Sequence, residues 1–168
     1  ALYKASADAV KSVDPMLRVG GPATSAVQWL PAFLAYCAKN RVPVDFVSTH
    51  IYPGDDQKLV FGRANKFKQY DVVPMAAALA RAHIDSSRFK GAELWVNEWS
   101  SDSPAMIAHA ITHSSPHCHA MAQWQMSGEY EEQMIAPWIF KDGQNGWGML
   151  ARGGVAKPEF NTYKLLHR

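Results

Sequence analysis

Val44-Asp45-Phe46-Val47-Ser48-Thr49-His50-Ile51-Tyr52, running into Pro53-Gly54-Asp55-Asp56, is a β-rich run that ends in a histidine, a tyrosine and a cluster of turn formers. Branched and aromatic side chains suit a pleated backbone, and the Pro-Gly-Asp sequence stops it. Helical patterns lie on both sides. Before the run, Trp29, Phe33 and Cys37 share a stripe beside Leu30 and Leu34, with a stop near Asn40; after it, Val72 to Ile84 repeats at helical spacing. Short strands alternating with helices are the pattern of βα units and a parallel sheet.

Working outward, Leu2 to Val13 reads as a helix that stops at Asp14-Pro15, because the residue before a proline is pushed out of the α region. Leu17 to Pro22 reads as a strand ending in glycines. Glu93 to Asn97 is a third strand, closing on Glu98-Trp99-Ser100, and Pro104 to His113 is weakly helical. A fourth strand is expected around Ala120 to Met126, followed by a long loop holding Gly143, Gly146, Gly148, Gly153 and Gly154. Lys157-Pro158 opens a last helix through Leu166, since proline is tolerated in a first turn. The sequence therefore reads as one α/β domain over residues 1–168, built from four strand-helix units. A full (β/α)8 barrel needs eight units and about 250 residues. The expected fold is the second half of such a barrel, although four parallel strands also suit an open doubly wound sheet, which periodicity does not separate.

The 168 residues are 48% hydrophobic and 19% charged, the makeup of a globular domain with material for a core. Net charge is +2 with the two signs interspersed, which argues against nucleic acid as a partner. The longest weakly polar stretch, Met75 to Ala82, is too short to cross a membrane. Cys37 and Cys118 stand far apart in unrelated contexts, supporting neither a disulfide framework nor a zinc knuckle. Nothing at the amino-terminal end assigns a compartment.

In both candidate architectures, function gathers at the C-terminal ends of the strands. Those ends bring a histidine, tyrosines, tryptophans and Glu98 to one rim. A carboxylate closing an apolar strand between Trp95 and Trp99 is partly desolvated and needs either a partner or a chemical role. As a nucleophile it would form a glycosyl ester while a second carboxyl about 5 Å away protonates the leaving oxygen. The competing reading is a salt-bridged glutamate at a strand end.

Val44 to Tyr52 (VDFVSTHIY), Trp95 to Ser100 (WVNEWS), Trp124 to Glu132 (WQMSGEYEE) and the closing Lys157 to Arg168 (KPEFNTYKLLHR) together resemble glycoside hydrolase family 39, which contains β-xylosidases and α-L-iduronidases. The resemblance runs in register from Leu2 to Arg168. It implies a (β/α)8 barrel, a retaining mechanism without metal or cofactor, and a carbohydrate substrate. Glu98 matches the family's nucleophile after the seventh strand. His50 and Tyr52 match residues of the sugar subsite after the sixth, Trp124 matches the aromatic floor after the eighth, and Glu131 and Glu132 match paired acids that bind sugar hydroxyls. The family's general acid lies in an Asn-Glu-Pro motif after the fourth strand, and no such motif occurs in this sequence, which places the acid upstream of Ala1. Gly128 stands where the family has aspartate, and Met126 where it has an aromatic.

Each assignment has a plainer rival. His50 could cap the strand through backbone hydrogen bonds, Tyr52 could pack under its loop, Trp124 could be core, and Glu131 and Glu132 could be solvated acids beside Glu129. His109, His113, His117 and His119 could form an imidazole metal site, but Pro116 interrupts the helix and the family needs no metal. Two alternatives to a β-xylosidase stand beside it. One is a half barrel that only binds carbohydrate or associates with itself through exposed sheet edges; the other is the same fold acting on another sugar, as in an α-L-iduronidase.

Overall fold

The computed structural model describes residues 2–127 and 148–167. Its elements are α1 (Leu2–Val13), β1 (Gly20–Ser25), α2 (Leu30–Asn40), β2 (Phe46–His50), α3 (Gln57–Phe61), α4 (Gln69–Asp85), β3 (Glu93–Trp99), α5 (Pro104–Ser114), β4 (Ala120–Gln123), a small antiparallel hairpin of β5 (Leu150–Ala151) and β6 (Val155–Ala156), and α6 (Pro158–Leu166).

Strands β1 to β4 form one parallel sheet in the order β1-β2-β3-β4. A doubly wound sheet reverses direction at a switch point, whereas a barrel adds each strand beside the last. The sequential order is consistent with part of a (β/α)8 barrel.

One face of the sheet is closed by helices. Val47, Leu94, Val96 and Trp99 point toward Leu30 and Leu34 of α2, Val73, Ala76, Ala77 and Ala80 of α4, and Ile107 and Ala110 of α5, all in one buried cluster. Alanines on α4 let that helix lie close to its neighbours, and each large side chain so buried contributes at most about 1.5–3 kcal/mol. On the opposite face Phe46, Trp95 and Asn97 stay only half-buried. There the rings of Phe46 and Trp95 stack with centroids 4.2 Å apart, and the Arg18 guanidinium lies 5.9 and 5.8 Å from them. Arg18 pairs with Glu93 at 2.9 Å, and Glu93 also accepts from the Trp95 indole at 2.8 Å.

Several elements differ from expectation. β1 starts at Gly20 rather than Leu17, because the backbone turns first, with Leu17 N donating to Asp14 O at 3.1 Å. β4 stops at Gln123, short of Met126. Trp29 is not on the buried stripe of α2. It precedes the helix with φ 63 and is 74% exposed, and the buried stripe is Leu30, Leu34 and Cys37. Helix α3 is an addition, started by Asp56 accepting from Lys58 N at 2.8 Å and stopped by Gly62 at φ 78, a backbone region that suits glycine. The glycine-rich loop also contains the β5–β6 hairpin.

Candidate active site

The site forms where β2 and β3 end together. Val96 and Trp99 are both fully buried on the helix side, although residues three apart in a regular strand face opposite ways. The register shifts between them and again between Thr49 and His50, so that His50 lies opposite Glu98. This irregularity re-aims the glutamate, a common device beside active sites. The loop after β1 braces the same end: Ala26 N donates to His50 O at 2.9 Å, and Thr49 Oγ1 donates to Thr24 O at 2.6 Å while accepting from Val27 N at 3.2 Å.

The two oxygens of Glu98 have different partners. Tyr52 Oη donates to Oε1 at 2.5 Å, and His50 Nδ1 stands 3.6 Å from Oε2. The side chains of His50 and Glu98 are about a quarter exposed. Burial, then the hydrogen bond to Glu98 and the charges of Glu98 and Asp55, push the Tyr52 phenol far above its usual value. The phenol therefore keeps its proton and serves as a fixed donor to the carboxylate.

Tyr52 is itself clamped. Its backbone N donates to Asp55 Oδ2 at 2.9 Å, and Asp55 N donates back to Tyr52 O at 3.1 Å. Burial raises the Asp55 pKa, opposed by the Tyr52 N–H and by the charge of His50. Behind Tyr52 an open depression of about 520 Å3 is lined by Tyr52, Asp55, Gln69, Ser101 and Asp102 among others.

Trp124 lies just past β4, tied to β3 by its backbone N donating to Trp99 O at 2.7 Å, and the residue is 43% exposed. Beside it, Gln123 Nε2 donates to Ser100 Oγ at 3.1 Å and Gln123 Oε1 accepts from Tyr163 Oη at 2.8 Å, which fastens α6 to this rim. Glu131 and Glu132, as well as Gly128, lie outside the described residues. The expectation that Trp95 and Trp99 desolvate Glu98 gives way: Trp95 is stacked on Phe46 and bonded to Glu93, and Trp99 is buried among the helices. The groups set against the carboxylate are Tyr52 and His50. Asp55 and Gln123 were not singled out in the sequence; an aspartate three residues after a strand-end tyrosine is the signal for the first.

Of the histidines in the candidate metal site, His109 and His113 stack with ring centroids 4.1 Å apart, but each histidine nitrogen with a described contact meets a different group. His109 Nε2 is 2.9 Å from Asp71 Oδ1 on α4, His113 Nδ1 is 2.8 Å from His109 O, and His119 Nδ1 accepts from Leu94 N at 3.3 Å. Among the described residues no three His, Cys, Asp or Glu side chains are grouped to hold a metal.

The sequence profile of the Glycosyl hydrolases family 39 matches residues 1–168. The chain is 32% identical over 186 aligned positions to a beta-xylosidase of Geobacillus stearothermophilus, covering 99% of this chain and 36% of that relative. It is 31% identical to a beta-xylosidase of Caldicellulosiruptor saccharolyticus, with the same coverage. Among solved structures, a monomeric beta-xylosidase from Caulobacter crescentus superposes with a TM-score of 0.77 at 32% identity, over 99% of this chain and 36% of that one. The chain thus spans about a third of the length of the relatives it matches.

Proposed function

Since this chain belongs to glycosyl hydrolases family 39, we propose that it carries the nucleophile half of a retaining, exo-acting, β-xylosidase-like active site. The observation behind this is the hydrogen bond from Tyr52 Oη to Glu98 Oε1 at 2.5 Å, with His50 3.6 Å from the other oxygen, at the C-terminal ends of adjacent parallel strands.

In this reading Tyr52 holds Oε1, and Oε2 attacks the anomeric carbon as the glycosidic bond breaks, giving a covalent ester on Glu98. A second carboxyl, about 5–5.5 Å from the first, gives its proton to the departing oxygen and then takes one from the water that cleaves the ester. That carboxyl comes from a glutamate preceding Ala1. Trp124 offers an apolar ring face to the C–H side of the sugar, His50 lines the subsite, and Glu131 and Glu132 bind its hydroxyls. The chemistry needs no metal or cofactor.

The direct kinetic test uses Glu98→Ala in the full-length protein. Turnover of an aryl β-xyloside falls by more than about a thousandfold, since loss of a nucleophile removes the covalent route. Added azide restores release of the aryl group and yields the α-xylosyl azide. Undiminished turnover, or a rescued product of β configuration, contradicts the assignment.

A second reading is favoured by the half-buried inner face of the sheet: alone, the chain binds carbohydrate or self-associates without catalysis. An iduronidase-like sugar preference of the same site is separated from xylosidase activity by comparing the two aryl glycosides.

A further inference from the structure

The segment after β2 carries a charge pattern that the proposed mechanism does not use. Between Lys58 and Lys68 stand four cations, Lys58, Arg63, Lys66 and Lys68, and no acidic residue. All four are exposed, and among the described residues none takes part in an ion pair. The neighbouring carboxylates are committed elsewhere: Asp55 to Tyr52 N, Asp56 to Lys58 N and Asp71 to His109.

The segment is a built loop. The Gln57 side chain closes it in both directions, donating to Phe67 O at 2.8 Å and accepting from Phe67 N at 2.7 Å. Phe61 and Phe67 meet edge to face at 4.8 Å, and the Lys66 ammonium is held 5.5 and 5.0 Å from their centroids. A lysine held over two rings gives up less freedom on binding than one waving in solvent. Gln57, Lys66, Lys68 and Gln69 line an open depression of about 500 Å3. Gln69 also lines the depression behind Tyr52, so the two meet at that residue.

We propose that this loop is a subsite for an anionic substituent of the saccharide, a uronic carboxylate or a sulfate ester, borne away from the bond that Glu98 attacks, with Lys66 and Lys68 as its contacts. The inference rests on the glycosidase reading and narrows its substrate to glycans with acidic branches. Neutral hydroxyls meet Asp55, Ser101 and Asp102 in the first depression, and the charge is received beyond Gln69. Two exposed charge contacts of this kind together strengthen binding about tenfold at low ionic strength and are screened by salt.

The test is calorimetric titration of the full-length protein carrying Glu98→Gln, so that ligand is not turned over. The probes are xylotriose, xylotriose with a glucuronic acid branch, and an O-sulfated xylotriose. At low salt the acidic ligands bind about tenfold more tightly than the neutral one. The advantage disappears in about 0.5 M sodium chloride and in the Lys66→Gln/Lys68→Gln variant, while neutral affinity and Tm are unchanged. Lys66→Arg retains it, and the two acidic arms tell carboxylate from sulfate. Equal affinity for neutral and acidic ligands, or an advantage that survives the double substitution, overturns the subsite. If the wild type hydrolyses an aryl xyloside while those affinities are equal, only the subsite falls. If no ligand binds and no xyloside is cleaved, the glycosidase reading falls with it.

Discussion

At the scale of single residues, the site depends on how Glu98 is held. A hydrogen bond to a charged acceptor is worth about 1.5–3 kcal/mol, so Tyr52→Phe in the full-length protein is expected to lower kcat about tenfold to a hundredfold on an aryl xyloside, with KM little changed. Unchanged kcat would mean that the contact at Oε1 has no part in the chemistry. The meeting of Glu98, His50 and Tyr52 at one rim was legible in the sequence because each sits at the end of an apolar strand, where polarity has to serve something. Asp55 was not, because its role depends on a turn closed back onto Tyr52. Burial raises its pKa above that of an unfolded aspartate, about 3.9. A raised carboxylate pKa opposes folding at neutral pH, and the penalty is relieved as pH falls through the folded value. Asp55→Asn keeps an acceptor for Tyr52 N and removes the buried charge, so its Tm at pH 7 should exceed that of the wild type and its gain should shrink toward pH 4. Asp55→Ala loses the acceptor and should lower kcat through Tyr52, an effect that adds little when combined with Tyr52→Phe. A lower Tm for Asp55→Asn at pH 7 would contradict this account of the turn.

At the scale of elements, the strand ends are delivered by close approach and by register. A Cβ on Gly20 would collide with the backbone carbonyl and ring of Phe46 on β2, and a backbone atom in a paired strand has nowhere to go. Gly20→Ala is therefore expected to cost about 1–3 kcal/mol, and to reduce activity by shifting β2 and its His50. Gly91→Ala, where an added Cβ meets nothing within 4 Å, is the control and should be near neutral. Urea unfolding of both variants decides, and equal stability would contradict the packing described. The helices α1, α2, α5 and α6 lie close to where spacing, proline and stop signals put them. The strands were less legible. Gly20-Gly21-Pro22 read as the end of a strand yet begins one, since the apolar Leu17 is spent in a turn. The bulge that turns Glu98 leaves no mark on a short run in which nearly every position is apolar or aromatic.

At the scale of the whole molecule, the sequence left open whether four parallel strands belong to a barrel or to a doubly wound sheet, because both show the same local periodicity. Strand order carries the distinction, and order is set by long-range packing of α2, α4 and α5 over the sheet. The described sheet ends at β1 and β4, and its inner face leaves Phe46 and Trp95 half-buried. Unpaired edges and apolar faces favour association. Residues 1–168 expressed alone should accordingly form concentration-dependent oligomers in light scattering, and a stable monomer at all concentrations would argue that the inner face needs no cover. In the mechanism proposed above, activity belongs to the full-length protein, where a second carboxyl joins Glu98. The most direct measurement is to treat that protein with a 2-deoxy-2-fluoro-β-xyloside bearing a good leaving group and to map the label by peptide mass spectrometry. The predicted result is a fluoroxylosyl ester on Glu98, absent in Glu98→Gln; a label on any other residue, or labelling that survives the substitution, would contradict the account.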